Sequence, residues 1–133
     1  MRNHPSIEID KELLRGHIDL IILAMLANGD LYGYDLAKRV KARAADQFEL
    51  KEGTLYLALK RLEQTNQVES YWGEGGPGAR RKYYKLLATG RRSLTTQASQ
   101  WQVLAQLTQS LLNDAGITPN IPAVSPTAPP TQL

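Results

Sequence analysis

The sequence predicts a mainly α protein with a small β-hairpin wing, that is, a winged helix-turn-helix followed by one long C-terminal helix. Three observations carry that expectation. Leu55, Leu59 and Leu62 recur at helical spacing, and two strand-like runs follow at residues 68–72 and 82–86. Between those runs lies GEGGPGARR, a glycine-rich hairpin tip that ends in Arg80 and Arg81. Further on, residues 93–113 hold no charged side chain, yet apolar residues recur there every three or four positions.

Each element has a local reason. Residues 1–9, with Arg2 and His4, are expected to form a flexible arm. Asp10 is a good N-cap for a helix over residues 10–27, which Asn28-Gly29 would stop. Leu13, Leu14, Ile18, Ile21, Ile22, Met25 and Leu26 give this helix a broad apolar band, and Leu20 and Leu23 extend it to a second side. Two apolar sides imply two partners, the domain itself and a second subunit. A second helix is expected over residues 31–45, burying Leu36, Ala37 and Val40 and turning Lys38, Arg39, Lys41 and Arg43 outward. Tyr32 and Tyr34 at its start are read as packing residues. Residues 47–51 turn into a recognition helix, which closes near Thr65-Asn66 with Asn66 in the left-handed conformation.

The hairpin tip is built for close approach. Gly73, Gly75, Gly76 and Gly78 carry no side-chain bulk and permit positive φ. The last helix, residues 88–114, carries Leu94, Ala98, Trp101, Ala105, Thr108 and Leu112 on one stripe, widened by Leu104, Leu107 and Leu111. A long helix hanging off a small domain buries such a face only against another helix, so it is read as a dimerisation helix. Packing on the first helix of its own chain is compatible with that. Residues 115–133 hold five of the seven prolines and no charge, and are expected to be a disordered tail. The chain therefore divides into an arm (1–9), a winged helix-turn-helix domain (10–87), a dimerisation helix (88–114) and a Pro-rich tail (115–133).

Charge is distributed unevenly. The net charge is only +3, but residues 60–92 hold eight basic and three acidic side chains, against eight and nine in residues 1–59. Positive charge gathered on a helix end and a hairpin suits a polyanion. Catalysis is not expected. His4 and His17 are the only histidines and neither sits in a motif. Cysteine is absent, which removes disulfides, thiolate metal sites and cysteine nucleophiles. No cofactor or metal is expected. The glycine-rich tip lacks a Walker lysine and the GxGxxG context. The most apolar run, LIILAMLA at residues 20–27, is too short to span a bilayer and follows Glu8, Asp10 and Glu12, which is wrong for a signal peptide. A cytoplasmic protein without a membrane partner is expected.

The expected partner is double-stranded DNA. A helix inside a major groove is anchored on one side only, so it needs a narrow apolar stripe and a polar, cationic exterior. Lys51, Thr54 and Leu57 are placed for base edges, and Tyr56, Lys60 and Arg61 for phosphates. Arg80, Arg81 and Lys82 would grip backbone or the adjacent minor groove, and Lys38 would add a phosphate contact. The alternative is a winged-helix module for protein association without DNA. The basic wing argues against it.

These residues also resemble a known family. LYGYDL at residues 31–36, EGTLYLALKRLE at residues 52–63 and RRKYYKL at residues 80–86 are similar to PadR-type transcriptional regulators, over nearly all of residues 10–112. With its single C-terminal helix, the chain looks most similar to the short multidrug-responsive repressors of that family. The resemblance implies a homodimeric repressor on a partly palindromic operator, released by a small hydrophobic molecule. Trp101 falls where those proteins stack flat aromatic ligands across the dimer axis. Gly16, Leu20, Ala98 and Ala105 would then wall a site for a planar hydrophobic guest. The chain departs from the family at Leu57, where many members have proline, at Leu87, in place of a threonine, and at Asn66, in place of a glycine. Ala105 and Gln109 stand where the multidrug members carry acidic residues.

Overall fold

A computed structural model describes residues 8–44, 47–76 and 79–121. The expected arm up to residue 7, the tip residues Pro77 and Gly78, and the Pro-rich tail beyond residue 121 lie outside the described residues. The element order is α1 (Lys11–Arg15), α2 (Ile18–Leu26), β1 (Leu31–Tyr32), α3 (Gly33–Ala44), α4 (Glu52–Gln64), β2 (Val68–Glu74), β3 (Arg80–Leu86) and α5 (Ala88–Asp114). This is the winged helix-turn-helix expected, with the long C-terminal helix in place.

The core is aliphatic. Ile22, Leu23 and Leu26 of α2 meet Leu36 of α3 and Leu55, Leu59 and Leu62 of α4, and Val68, Tyr84 and Leu86 close it from the sheet. Each fully buried leucine or isoleucine contributes about 1.5–3 kcal/mol relative to exposure. Asp10 does cap the first helix, accepting from the Glu12 amide at 2.7 Å. Asn66 does take the left-handed conformation, with φ 61°.

Four expectations on element bounds are corrected. The single helix over residues 10–27 is two, broken at Gly16 and His17. There the His17 amide reaches back only three residues, to the Leu14 carbonyl at 2.8 Å, and the chain turns before α2 starts. The apolar band runs across the break, so its periodicity hides it. Residues 31 and 32 are not helical. They form an edge strand, with Leu31 opposite Tyr84 and Tyr32 opposite Tyr83, so the sheet has three antiparallel strands in the order β1-β3-β2. The wing strands also run further than expected: Gly73 pairs with Arg81 and Glu74 with Arg80. Gly73 is therefore a strand residue, and an added Cβ would stand 2.9 Å from the Tyr83 ring. Ile9, placed in the loose arm, instead donates its amide to the Gln47 carbonyl at 2.9 Å and packs on the core.

α5 runs beside α2. At about 1.5 Å per residue, the 27-residue α5 is roughly 40 Å long and the nine-residue α2 roughly 13 Å. Among the described residues, much of α5 therefore has no helix to lie on. Gly90 is buried where α5 crosses the Gln67 carbonyl, and Leu94 packs on the core. At its far end Gly116 takes φ 72° and the Ile117 amide returns to the Leu112 carbonyl at 2.9 Å, a left-handed stop. No helix among the described residues is long and apolar enough to cross a membrane.

Candidate nucleic-acid interface

α4 has a buried line and an open one. Leu55, Ala58, Leu59 and Leu62 face the core. By helical period the opposite line is Gly53, Leu57, Lys60 and Gln64, and all four are exposed. Leu57 is 67% exposed, a large apolar side chain left open to solvent. Gly53 and Gln64 were not among the expected contact residues. They share this line with Leu57 and Lys60, which the helical period alone reveals.

The other expected residues of α4 fall on its flanks. Lys51 and Thr54 are exposed at the start of the helix, on the side that faces α1. Arg61, on the same flank, is pinned: its Nη2 lies 2.5 Å from Oδ1 of Asp19 in α2. Tyr56 is on the opposite flank, where its ring covers Gly33 at the start of α3, so that a Cβ there would collide with it. Burial, with a smaller contribution from Glu52, pushes the Tyr56 phenol above its ordinary value, so it is a protonated donor at neutral pH. Tyr34, read from the sequence as a packing residue, is 53% exposed, and the Lys38 ammonium lies 5.7 Å from its ring centre. Lys38 and Tyr34 thus pair on α3, and Tyr56 covers the start of the same helix.

The wing sorts its cations by face. Strand alternation puts Arg80 and Lys82 on the side that continues the core row of Val68, Tyr84 and Leu86. Arg80 stands over Trp72 at 5.6 Å, and Lys82 lies 6.0 Å from the Tyr84 ring. Arg81, expected beside them, points the other way. Its guanidinium lies over Tyr32 at 4.5 Å, and its Nε donates to the Gly75 carbonyl at 3.0 Å. This side also carries the neighbouring rings of Tyr32, Tyr83 and Tyr71. The Tyr71 hydroxyl donates to Asp30 at 2.6 Å, and that bond raises its pKa. The wing and α4 share the core of Leu55, Leu59, Leu62, Val68, Tyr84 and Leu86, and a side-chain bond adds to it: Ser70 Oγ donates to Glu63 Oε2 at 2.6 Å.

On α5 the expected stripe resolves into two. Leu94, Ala98, Ala105 and Leu112 form the half-buried side. Val103, Leu104, Leu107 and Leu111 are turned away and are 55–66% exposed. Trp101 is 44% exposed and meets His17 edge-to-face at 6.2 Å. That contact brings Trp101 to the α1–α2 break, where Gly16 lies, and Leu20 follows one turn later on α2, half-buried. Among the described residues, no three His, Cys, Asp or Glu side chains gather as metal ligands would.

These features define a winged helix-turn-helix protein with its cations on the α4 surface and the wing, extended by a long uncharged helix. Residues 22–96 match the transcriptional regulator PadR-like family, and the chain belongs to that family. It is similar to a PadR family transcription regulator from Clostridium difficile R20291, at 39% identity and a TM-score of 0.65, over 72% of this chain and 98% of that one. It is also similar to a transcriptional regulator from Clostridium thermocellum, at 32% identity and a TM-score of 0.70, over 77% and 96%. Bacillus subtilis PadR, solved in complex with operator DNA, matches at 25% identity and a TM-score of 0.56, over 61% of this chain and 46% of that one. The family is one of transcriptional regulators, in keeping with the sequence reading that the chain is not an enzyme.

Proposed function

We propose that the protein is a DNA-binding transcriptional regulator that acts as a homodimeric repressor on a palindromic operator in the cytoplasm. One observation carries this reading. The exposed line of α4 and the Arg80–Lys82 face of the wing belong to one unit, joined by the core that Leu55, Leu59 and Leu62 share with Val68, Tyr84 and Leu86 and by the Ser70–Glu63 bond. Leu57 and Lys60, with Lys51 and Thr54 beside them, would meet base edges. Tyr56, Arg61 and Lys38 would meet phosphates. Arg80 and Lys82 would grip the backbone next to the half-site, while Arg81 holds the wing to Tyr32. The solved complex of Bacillus subtilis PadR with operator DNA supports the choice of partner.

The reading head is residues 10–87 and the dimer arm residues 88–114. The arm is supported by the uncovered Val103, Leu104, Leu107 and Leu111 on a helix that outruns α2. Release by a planar hydrophobic ligand, as in the short multidrug-responsive members, is supported by Trp101 and the small residues Gly16, Ala98 and Ala105, with Leu20, around it. A ligand releases DNA only by binding better to a dimer with the wrong half-site spacing. α5 follows β3 after the single residue Leu87, so a change in helix packing reaches the wing.

The test is duplex binding as a function of salt, on protein whose mass in solution is measured by sedimentation. A dimer whose affinity falls steeply with salt supports the reading. A monomer, or a protein indifferent to duplex in dilute buffer, contradicts it.

A further inference from the structure

A cavity away from Trp101 lies between α1, the turn into α4 and the flank of α4 that carries Thr54 and Arg61. Its volume is about 390 Å³, within the roughly 300–1,000 Å³ span of small-molecule sites. The floor is aliphatic, made of Leu14, Ile18 and Ala58, with Leu57 at the mouth. Among the described residues no aromatic ring lines it, so they offer nothing for a flat guest to stack on. The rim is cationic: among the described residues Lys11, Arg15, Lys51 and Arg61 stand around it, with Glu49 beside them. Two of these cations already have partners, Arg15 with Glu12 at 3.2 Å and Arg61 with Asp19 at 2.5 Å. Lys11 and Lys51 form no ion pair among the described residues.

We propose that this cavity binds a medium-chain aliphatic carboxylate, with its chain on Leu14, Ile18 and Ala58 and its head between Lys11 and Lys51. The pairing follows from chemistry. An apolar floor gains from covering an alkyl chain, and two ammonium groups without an ion pair among the described residues gain from a carboxylate. A neutral alcohol would satisfy only the first demand, and an alkyl ammonium would meet repulsion at the second. The occupant would lie against Thr54 and Leu57 and engage Lys51. It would therefore exclude duplex directly, without any change in the dimer. That consequence rests on the DNA reading above; the binding of the carboxylate does not.

Equilibrium dialysis of labelled decanoate against the full-length chain, below its micellar range, tests the site. One decanoate should bind per chain, with decanol and decyltrimethylammonium at least about tenfold weaker. Lys11→Glu should weaken decanoate by about tenfold, because Lys11 is exposed and its loss leaves the floor intact. Trp101→Ala should leave decanoate binding unchanged. No binding, equal binding of decanol, an unaffected Lys11→Glu protein, or loss in Trp101→Ala each overturns the assignment. In a second arm, decanoate should release a labelled duplex and decanol should not. A duplex that stays bound to decanoate-loaded protein overturns the competitive placement. A protein that takes decanoate but never binds duplex refutes the DNA reading and leaves the cavity assignment standing.

Discussion

Ser70 Oγ donates to Glu63 Oε2 at 2.6 Å, and this bond joins the first wing strand to the last turn of α4. Together with the core that α4 shares with the sheet, it joins the two surfaces proposed to meet DNA, although neither side chain is proposed to touch it. Ser70→Ala should cost about 1–2 kcal/mol of stability, because the acceptor is a half-buried carboxylate. It should also weaken duplex binding for all sequences alike. Thermal melts and anisotropy titrations on one preparation check both. Unchanged duplex affinity would mean the wing is set by something else.

The two faces of the wing should separate in mutants. Arg80→Ala with Lys82→Ala should lower duplex affinity for every sequence and reduce the salt slope by roughly two. Arg81→Ala should act on the fold. It removes a guanidinium packed over Tyr32 and a bond to the Gly75 carbonyl, for a loss of about 1 kcal/mol. Its salt slope should change less than that of the double variant. Salt titrations of the three proteins decide this.

Leu57→Ala should leave the unfolding free energy within about 0.5 kcal/mol of the parent, since the side chain is open to solvent. It should change which duplexes are preferred. A Leu57→Ala protein that enriches the same sequences as the parent would remove Leu57 from the base-reading set.

Gly33→Ala should destabilise by about 1–3 kcal/mol, because its Cβ would enter the Tyr56 ring. Adding Tyr56→Ala should recover part of that loss, as expected for two residues in contact. Chemical denaturation of the single and double variants measures the coupling. Additive losses would separate the two residues.

Burial raises the Tyr84 phenol above its ordinary value, with Glu63 and Tyr56 adding to the shift. The folded value lies above the unfolded one, so the contribution is fully present below about pH 10 and is lost as pH rises through the folded value. Denaturation midpoints should therefore hold from neutral pH to about pH 9 and fall above pH 10. Tyr84→Phe should flatten part of that fall.

Much of the fold was legible in the residues because it is local. Leu55, Leu59 and Leu62 announce the buried line of α4 by spacing alone, and Asn66 marks the stop. Leu31-Tyr32 was not legible as a strand, since two residues make no alternation and the helix begins at once. Gly16 hid inside an unbroken apolar band. The site was half legible. Residue types placed Lys51, Leu57, Lys60, Arg80 and Lys82 on exposed surfaces of α4 and the wing. The partners that tie up Arg61 and Arg81 were not readable. Asp19 is 42 residues from Arg61, and nothing in either stretch encodes that pairing. Tyr32 stands under Arg81 only because β1 joins the sheet beside β3.

Selection of bound duplexes from a random pool by the full-length chain tests the central claim most directly. It should enrich a palindrome whose half-sites are spaced by about one helical turn, roughly 34–36 Å, or a multiple of it. Enrichment of single, unpaired half-sites, or none above the starting pool, would contradict the account.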